Sequence, residues 1–277
     1  MLKSIMQNKK NILPEIYNFL QPKQTNNLIR MGIKKDGGYI IDKTTLDKVN
    51  HLVSFGMANE FSFETDFLNY QKSNKIQIYD HTVNHKNYLL KILKVFRRLI
   101  TLRRNVKQFI NEICDYYNYI KFIYNINVKF LSLKITNKKY NDNEISFSSI
   151  ISDIDNSVEN IGLKIDIEGD EYKLIDDICN KHKKINFLII EFHKIDQNKD
   201  LFLQSTKKLN QIFDIIHLHG NNHESVMSDG FPNVVEISFA NKNNNLNYIK
   251  FPNALPIEGL DFPNNPHVPD IKLYFKV

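Results

Sequence analysis

Gly162-Leu-Lys-Ile-Asp-Ile-Glu-Gly-Asp-Glu-Tyr172 is the stretch whose reading decides the fold class. An apolar run ends in Asp166 and Glu168, and Gly169 then turns the backbone out of it. Alternate residues share one face of a strand, so the pattern predicts Lys164, Asp166 and Glu168 on one side and Leu163, Ile165 and Ile167 on the other. Two carboxylates on one face are costly inside a core. They suit a strand that runs out into a ligand crevice, which in open α/β sheets lies at the carboxyl ends of the strands. A polar terminus on an edge strand would give the same spacing.

Two further runs share this design. Phe187-Leu-Ile-Ile-Glu-Phe-His193 ends in Glu191 and His193, and Phe213-Asp-Ile-Ile-His-Leu-His-Gly220 ends in His217 and His219. Three apolar runs with titratable residues at their carboxyl ends predict one shared site at the top of a parallel sheet. The full set of strand candidates is 51–56, 75–80, 128–135, 161–167, 186–192, 213–219 and 234–240. Helical stretches separate most of them, notably 61–72, 170–182 and 200–211. Alternation of this kind predicts an α/β domain with a mainly parallel sheet and helices on both faces. The short gap before the last strand permits an antiparallel join.

The composition fits a globular chain of 277 residues, with 42% hydrophobic and 25% charged residues. Cys114 and Cys179 have no CxxC spacing and read as free thiols of a reducing compartment. The first ten residues lack the apolar core of a secretory signal, and no run approaches the roughly 20 apolar residues of a membrane span. The expected location is the cytoplasm. The net charge of +6 is local in origin, because Lys86–Lys107 alone carries eight basic residues and no acid. Leu89, Ile92, Leu93, Phe96, Leu99, Ile100, Val106 and Phe109 recur there at helical spacing, which predicts a basic amphipathic helical insertion between the second and third strands. It reads as a solvated face, as a funnel for a phosphorylated substrate, or as a peripheral contact with an anionic inner-membrane surface. No helix-turn-helix, zinc-finger or RNP-like motif supports nucleic acid as a partner.

Lys164-Ile-Asp-Ile-Glu-Gly-Asp-Glu-Tyr172 resembles the signature of FkbM-type S-adenosylmethionine-dependent methyltransferases. Arg30-Met-Gly-Ile-Lys-Lys-Asp-Gly-Gly-Tyr39, Val53-Ser-Phe-Gly-Met-Ala-Asn-Glu-Phe-Ser-Phe-Glu64, Ile190-Glu-Phe-His193, His219-Gly-Asn-Asn222 and Val234-Val-Glu-Ile-Ser-Phe239 follow in the order of the branch that carries an Asp-Gly-Gly-Tyr segment. The resemblance implies a Rossmann-like class I fold with seven strands. It also implies O-methylation of a carbohydrate hydroxyl, on a nucleotide- or lipid-linked sugar precursor of a surface polysaccharide. Expected alternatives are a methyltransferase of another small phosphorylated metabolite and a non-catalytic membrane-associated scaffold. The expected organisation is one domain over 1–277. It has a helical lead-in at 1–28, the basic insertion at 84–126 and a surface-wrapping tail at 241–277.

A strand, a glycine turn and a helix cradle a nucleotide-like ligand, because glycine lets the backbone approach and a helix N-terminus offers free N–H groups. His51–Gly56 followed by Glu60–Tyr70 has that shape without a G-x-G-x-x-G fingerprint, which counts against NAD. Ser54 stands where the family commonly has Asp, and Gly56-Met-Ala-Asn59 replaces Gly-Ala-Asn. Gly56, Asn59, Glu64 and Asp80 are the expected cofactor contacts. Asp80, at the end of the second strand, is placed for ribose hydroxyls, and Glu64 either receives an ammonium group or is a helix-surface residue. His193 is the first candidate for general base and His219 the second, with Glu168 orienting substrate or imidazole. Asp166, Glu191 and His193 also form a donor set suited to Mg, Mn or Fe, and the residues leave this and a metal-free network both open.

Overall fold

The computed structural model describes residues 12–100, 106–249 and 254–276. The chain opens with β1 (Leu28–Met31) and β2 (Tyr39–Asp42), an antiparallel hairpin followed by α1 (Lys43–Leu46). β3 (His51–Phe55), α2 (Ser62–Tyr70) and β4 (Lys75–Tyr79) begin the main sheet, and α3 (His85–Ile100) and α4 (Val106–Ile123) form the insertion. After β5 (Val128–Leu131), β6 (Lys134–Thr136) and β7 (Glu144–Ser146) pair with each other outside that sheet and lead into α5 (Phe147–Asp153). β8 (Ile161–Ile165), α6 (Ile175–Lys181), β9 (Ile185–Phe192), α7 (Lys199–Ile212), β10 (Phe213–Gly220) and β11 (Val235–Asn241) complete it. β12 (Ala254–Leu255) and β13 (Leu273–Tyr274) pair within the tail.

The main sheet has seven strands in the order β10-β11-β9-β8-β3-β4-β5. β11 runs antiparallel to both neighbours, and the remaining pairs are parallel. The chain winds outward from β3 through β4 to β5, then returns to place β8 and β9 on the other side. The topological switch point therefore lies between β3 and β8, where open α/β sheets bind ligands. This is a Rossmann-like arrangement.

One buried layer joins Phe147 and Ile150 of α5, Ile178 of α6 and Phe202 and Leu209 of α7 to Val53, Leu163, Leu188 and Ile190 of the sheet. The other joins Phe63 and Phe67 of α2, Tyr88 of α3 and Tyr119 and Phe122 of α4 to Leu52, Ile76, Ile78 and Ile189. Phe63 and Phe67 are four residues apart, so both face the sheet and are fully buried. Truncating either to Ala should cost about 3–5 kcal/mol.

The structure departs from three expectations. Within the described part of the helical lead-in the helix is a short 3-10 helix, Glu15–Leu20, and not an α-helix; Pro14 precedes it and the chain reaches β1 by Leu28. Residues 1–11 lie outside the described residues. The 128–135 candidate splits, because Leu131 O accepts from Asp80 N and Lys134 then pairs within β6 and β7. The tail does more than wrap the surface: Leu255, Asn264, Leu273 and Phe275 are buried, and it packs over the carboxyl end of β10 and the start of β11.

Candidate active site

β8 ends at Ile165, although Asp166 N still donates to Phe55 O at 2.9 Å. Glu168 then takes φ +59° and Gly169 φ +112°. A left-handed Glu costs on the order of 1–3 kcal/mol and persists only where its surroundings fix it. Here Glu171 Oε1 accepts from Gly169 N at 3.0 Å and Ile167 N at 3.3 Å, and Lys194 Nζ donates to Glu168 O at 3.2 Å. Strand alternation therefore stops before Glu168, whose side chain is 84% exposed. Lys164 does not reach the crevice. It is buried, donates to Gly56 O at 2.8 Å and lies 3.3 Å from Glu64 Oε1.

β9 runs beside β8 and delivers Glu191 and His193 to the same end of the sheet. His193 Nδ1 lies 2.8 Å from Glu171 Oε1, so Nδ1 carries the proton that this carboxylate accepts, and Nε2 is directed elsewhere. Nε2 lies 3.8 Å from Asp166, 3.8 Å from Glu191 and 3.7 Å from Glu168. These separations exceed a hydrogen bond. They match ligand atoms sharing one ion, since metal bonds of about 2.0–2.2 Å allow pairs up to roughly 4.4 Å apart. Asp166, Glu191 and His193 together present ligand atoms within 4.8 Å of one another. A second carboxylate group, Asp36, Glu191 and Glu236, shares Glu191 with this set.

Burial raises Asp166 to about 6, against the pull of Lys164 and His193, with Glu168 and Asp36 adding to the rise. Burial also raises Glu191 well above the usual carboxylate range, reinforced by Asp166 and Glu236. Burial alone would lower His193, but Glu171, Asp166 and Glu168 outweigh it and the net shift is upward. Burial and mutual repulsion thus oppose ionising both carboxylates together. Asn221 contributes a neutral donor, its Nδ2 lying 2.8 Å from Glu191 Oε1.

A cleft of about 250 Å³ opens beside this cluster at the switch point, lined in part by Gly56, Ala58, Asp80, Thr82, Asp166 and Ile167. Gly56 has φ +76°, and a Cβ there would meet Asp166 O at 1.7 Å, so only glycine lets β3 turn over the end of β8. Asp80 closes the turn: Oδ2 accepts from Met57 N at 2.9 Å and Ala58 N at 2.8 Å, and Oδ1 from Thr82 N at 2.7 Å and Thr82 Oγ1 at 2.6 Å. Burial opposes ionisation of Asp80, but these donors win and hold its pKa below the usual value. Two other expected contacts sit elsewhere. Glu64 is enclosed, taking a 2.6 Å bond from Ser54 Oγ as well as the Lys164 charge, so it balances a buried lysine and does not line the cleft. Asn59 faces a separate groove of about 660 Å³ that also involves Phe61, Tyr88 and Phe122.

His219 is also displaced from the expected role. β11 lies between β9 and β10, and Glu191, Glu236 and His219 form a cross-strand row. His219 Nδ1 lies 3.4 Å from Glu236, and Nε2 lies 3.1 Å from Asp270 of the tail. Burial disfavours the charged ring, yet Asp270 and Glu236 lift its pKa to about 10. A ring that is protonated at neutral pH, with both nitrogens paired, is a cation lock and not a base. His217 Nε2 also has an acidic partner from the tail, 2.9 Å from Asp261 Oδ1. Glu171, Asn221, Glu236, Asp261 and Asp270 carry this architecture without having been singled out from sequence. The first sits inside the quoted signature, while the two tail aspartates have no motif around them.

No protein-family model matches the chain, and no curated protein matches it. Among solved structures it is similar to the fibrillarin pre-rRNA processing protein of Methanococcus jannaschii, at 10% identity and TM-score 0.37, covering 86% of each chain. It is also similar to precorrin-6y C5,15-methyltransferase from Geobacter metallireducens, at 14% identity and TM-score 0.34, covering 71% of this chain and 84% of that one. A third is TrmK of M. capricolum with S-adenosyl-homocysteine, at 12% identity and TM-score 0.35, covering 71% and 66%. These likenesses are too distant to assign residues or substrates, and the fold rests on the strand order itself.

Proposed function

We propose that this chain is an S-adenosylmethionine-dependent O-methyltransferase that acts on a carbohydrate hydroxyl, with a divalent cation held by Asp166, Glu191 and His193. One observation carries the reading. A buried imidazole, fixed through Nδ1 by Glu171, turns Nε2 toward three carboxylates at the switch point of a class I sheet. A hydroxyl is a weak nucleophile, and this is the chemistry that deprotonates or activates one. Glu171 is the outer partner that ligating histidines normally require.

The cleft suits the cofactor in chemistry. Its charged side chains include Asp80, Asp166, Glu168 and Asp170, opposed by Lys134, and the ligand carries a sulfonium and an ammonium group. Ile135, Ile167 and Tyr79 supply apolar wall for a flat base. Asp80 would hold the ribose by exchanging one of its present donors for a hydroxyl, since all four acceptor positions are filled. Bound there, the sulfonium supplies an electrophilic methyl group. A cation at the carboxylate–imidazole set supplies Lewis acidity toward the acceptor hydroxyl. With the cation bound, His193 Nε2 would be one of its ligands and the hydroxyl proton would pass to water; without it, Nε2 would take that proton. In both cases Glu171 keeps the ring in place, and the exposed Glu168 would contact the acceptor.

Calorimetric titration with S-adenosylhomocysteine tests the cofactor, and methyl transfer to nucleotide-linked sugars tests the reaction. Binding is expected, with transfer abolished by excess chelator and restored by Mg or Mn. Absence of binding to the folded protein defeats the enzyme reading in favour of a scaffold. Full transfer in excess chelator removes the cation and leaves His193 as a simple base.

A further inference from the structure

α3 and α4 pack against each other as a hairpin. Tyr88 stacks on Tyr119 with centroids 4.5 Å apart, Phe96 meets Phe109 at 5.6 Å, and Lys91 lies 3.0 Å from Glu112. Tyr88 and Val95 on α3, with Tyr119 and Phe122 on α4, are buried. Each helix also leaves a second apolar stripe in solvent. On α3 it is Leu89, Leu93, Phe96 and Ile100; on α4 it is Val106, Ile110, Ile113 and Tyr117. Both stripes follow steps of four, three and four, so each lies along one side of its helix. Their residues are 43–67% exposed, and Leu90 is a further exposed apolar residue on α3. Nine of the twenty exposed large hydrophobics among the described residues fall in these two helices. A concentration of this kind marks an interaction surface.

The charge around the stripes selects the partner. α3 carries Lys86, Lys91, Lys94, Arg97 and Arg98 and no acid. Lys94, Arg97 and Arg98 line a surface hollow with Leu90 and Leu93, so cationic and apolar groups share one face. Lys107 follows at the start of α4, and the sequence between the helices, 101–105, adds Arg103 and Arg104. A second copy seated on this face would bring like charges together, because a two-fold contact sets the same surface against itself. No helix among the described residues is long and apolar enough to cross a bilayer. A helix whose basic residues flank an exposed Leu and Phe stripe suits the plane of an anionic interface, the stripe entering the acyl boundary and the lysines and arginines lying at the phosphates.

We propose that the α3–α4 hairpin docks this protein on anionic lipid bilayers, with Leu89, Leu93, Phe96 and Ile100 inserting and Lys86, Lys94, Arg97 and Arg98 contacting headgroup phosphates. The surface is distinct from the strand-end site, so the proposal is independent of the methyltransferase reading. Docking would restrict an enzyme to acceptors presented at the membrane.

Flotation of the full chain with vesicles tests it. Vesicles of phosphatidylcholine with one-third phosphatidylglycerol should carry the protein, and pure phosphatidylcholine vesicles should carry little. Each basic residue near such a surface is worth about fivefold in partitioning. Lys94→Gln/Arg97→Gln/Arg98→Gln should therefore weaken binding by roughly a hundredfold at low salt, and added salt should weaken the wild type similarly. Leu93→Glu/Phe96→Glu should abolish flotation even at low salt. Both sets lie at the surface, and an unchanged thermal midpoint and far-ultraviolet circular dichroism confirm that folding is intact. The proposal is overturned if the wild type fails to float with anionic vesicles at low salt. It is also overturned if the charge variant floats like wild type, or if light scattering shows a dimer that Leu93→Glu/Phe96→Glu converts to a monomer.

Discussion

Glu171→Gln separates positioning from packing at the candidate site. Glu171 is fully buried, and its Oε1 receives His193 Nδ1 at 2.8 Å, Gly169 N at 3.0 Å and Ile167 N at 3.3 Å. Gln keeps the shape and one acceptor oxygen, so the turn around Glu168 survives with weaker bonds. Oε2 has no hydrogen-bond partner, so an amide nitrogen in its place breaks none. What is lost is the charge. A hydrogen bond to a charged group is worth about 1.5–3 kcal/mol against about 0.5–1.5 for a neutral one. Removing the outer carboxylate of a ligating histidine typically costs about 10–100-fold in metal affinity or activity. That is the loss expected in kcat/KM and in Mn affinity at neutral pH. The sign of the pH effect is opposite to the loss. Burial lowers the His193 pKa, but Glu171, Asp166 and Glu168 raise it above the usual value. Without the Glu171 charge it falls, and His193 must be neutral to ligate or to accept a proton. The acid limb of the profile should therefore move to lower pH while the plateau drops. Glu171→Ala should instead destabilise the fold, because three donors lose their acceptor at about 1–3 kcal/mol each. A Gln variant with the wild-type plateau and Mn affinity, or with a lowered plateau over an unmoved acid limb, refutes the positioning role.

Asp80→Ala should weaken S-adenosylhomocysteine at least roughly tenfold by calorimetry, since it removes the ribose acceptor and frees the turn donors; an unchanged affinity in a folded variant defeats the assignment. Mn at a hundred times its Kd should add about 2.7 kcal/mol of stability, a rise of roughly 5 °C in the thermal midpoint, and Asp166→Asn should remove the rise. Asp270→Asn should destabilise through His219, whose folded pKa of about 10 lies above the unfolded value. Stability from a raised histidine is fully present below about pH 6.5 and is lost as pH rises through the folded pKa. The deficit of the variant, read from denaturant midpoints, should thus be largest at pH 6 and shrink toward pH 10.

The strand frame was legible because its signal is local. Phe187–Phe192 and Phe213–Leu218 are nearly continuous apolar runs, as strands buried on both faces must be. His193, Asp166 and Glu191 were legible as a set because adjacent parallel strands bring their carboxyl ends together. Glu168 was read by strand alternation, which fails where a left-handed residue ends the strand; nothing in the residue types marks that φ. His219 looked like His193, a titratable residue at a strand end. The difference lies fifty-one positions away in Asp270, and no local pattern reports a contact at that range. Glu64 and Lys164 were each read alone, whereas the fold uses them as a buried pair.

Charge balance distinguishes the candidate site from the rest of this sheet end. Glu64 is paired with Lys164, Asp261 with His217, Glu236 with His219 and Glu171 with His193, each within 3.4 Å. These pairs follow the rule that a buried charge persists only with a partner. Asp166 and Glu191 break the rule. They share His193 Nε2 at 3.8 Å, too far for a hydrogen bond, and Glu191 otherwise has the neutral amide of Asn221. Four acids at this end each have a cationic partner and Asp80 has four neutral donors, whereas the half-buried Asp166 and the buried Glu191 stand around an imidazole nitrogen at the switch point. Packing alone would not select that arrangement, because replacing either carboxylate by an amide would relieve the repulsion at little cost in volume. On the proposed reading a positively charged occupant fills the gap between these groups, and for that reason the Mn-dependent thermal shift and its loss in Asp166→Asn discriminate more sharply than activity alone.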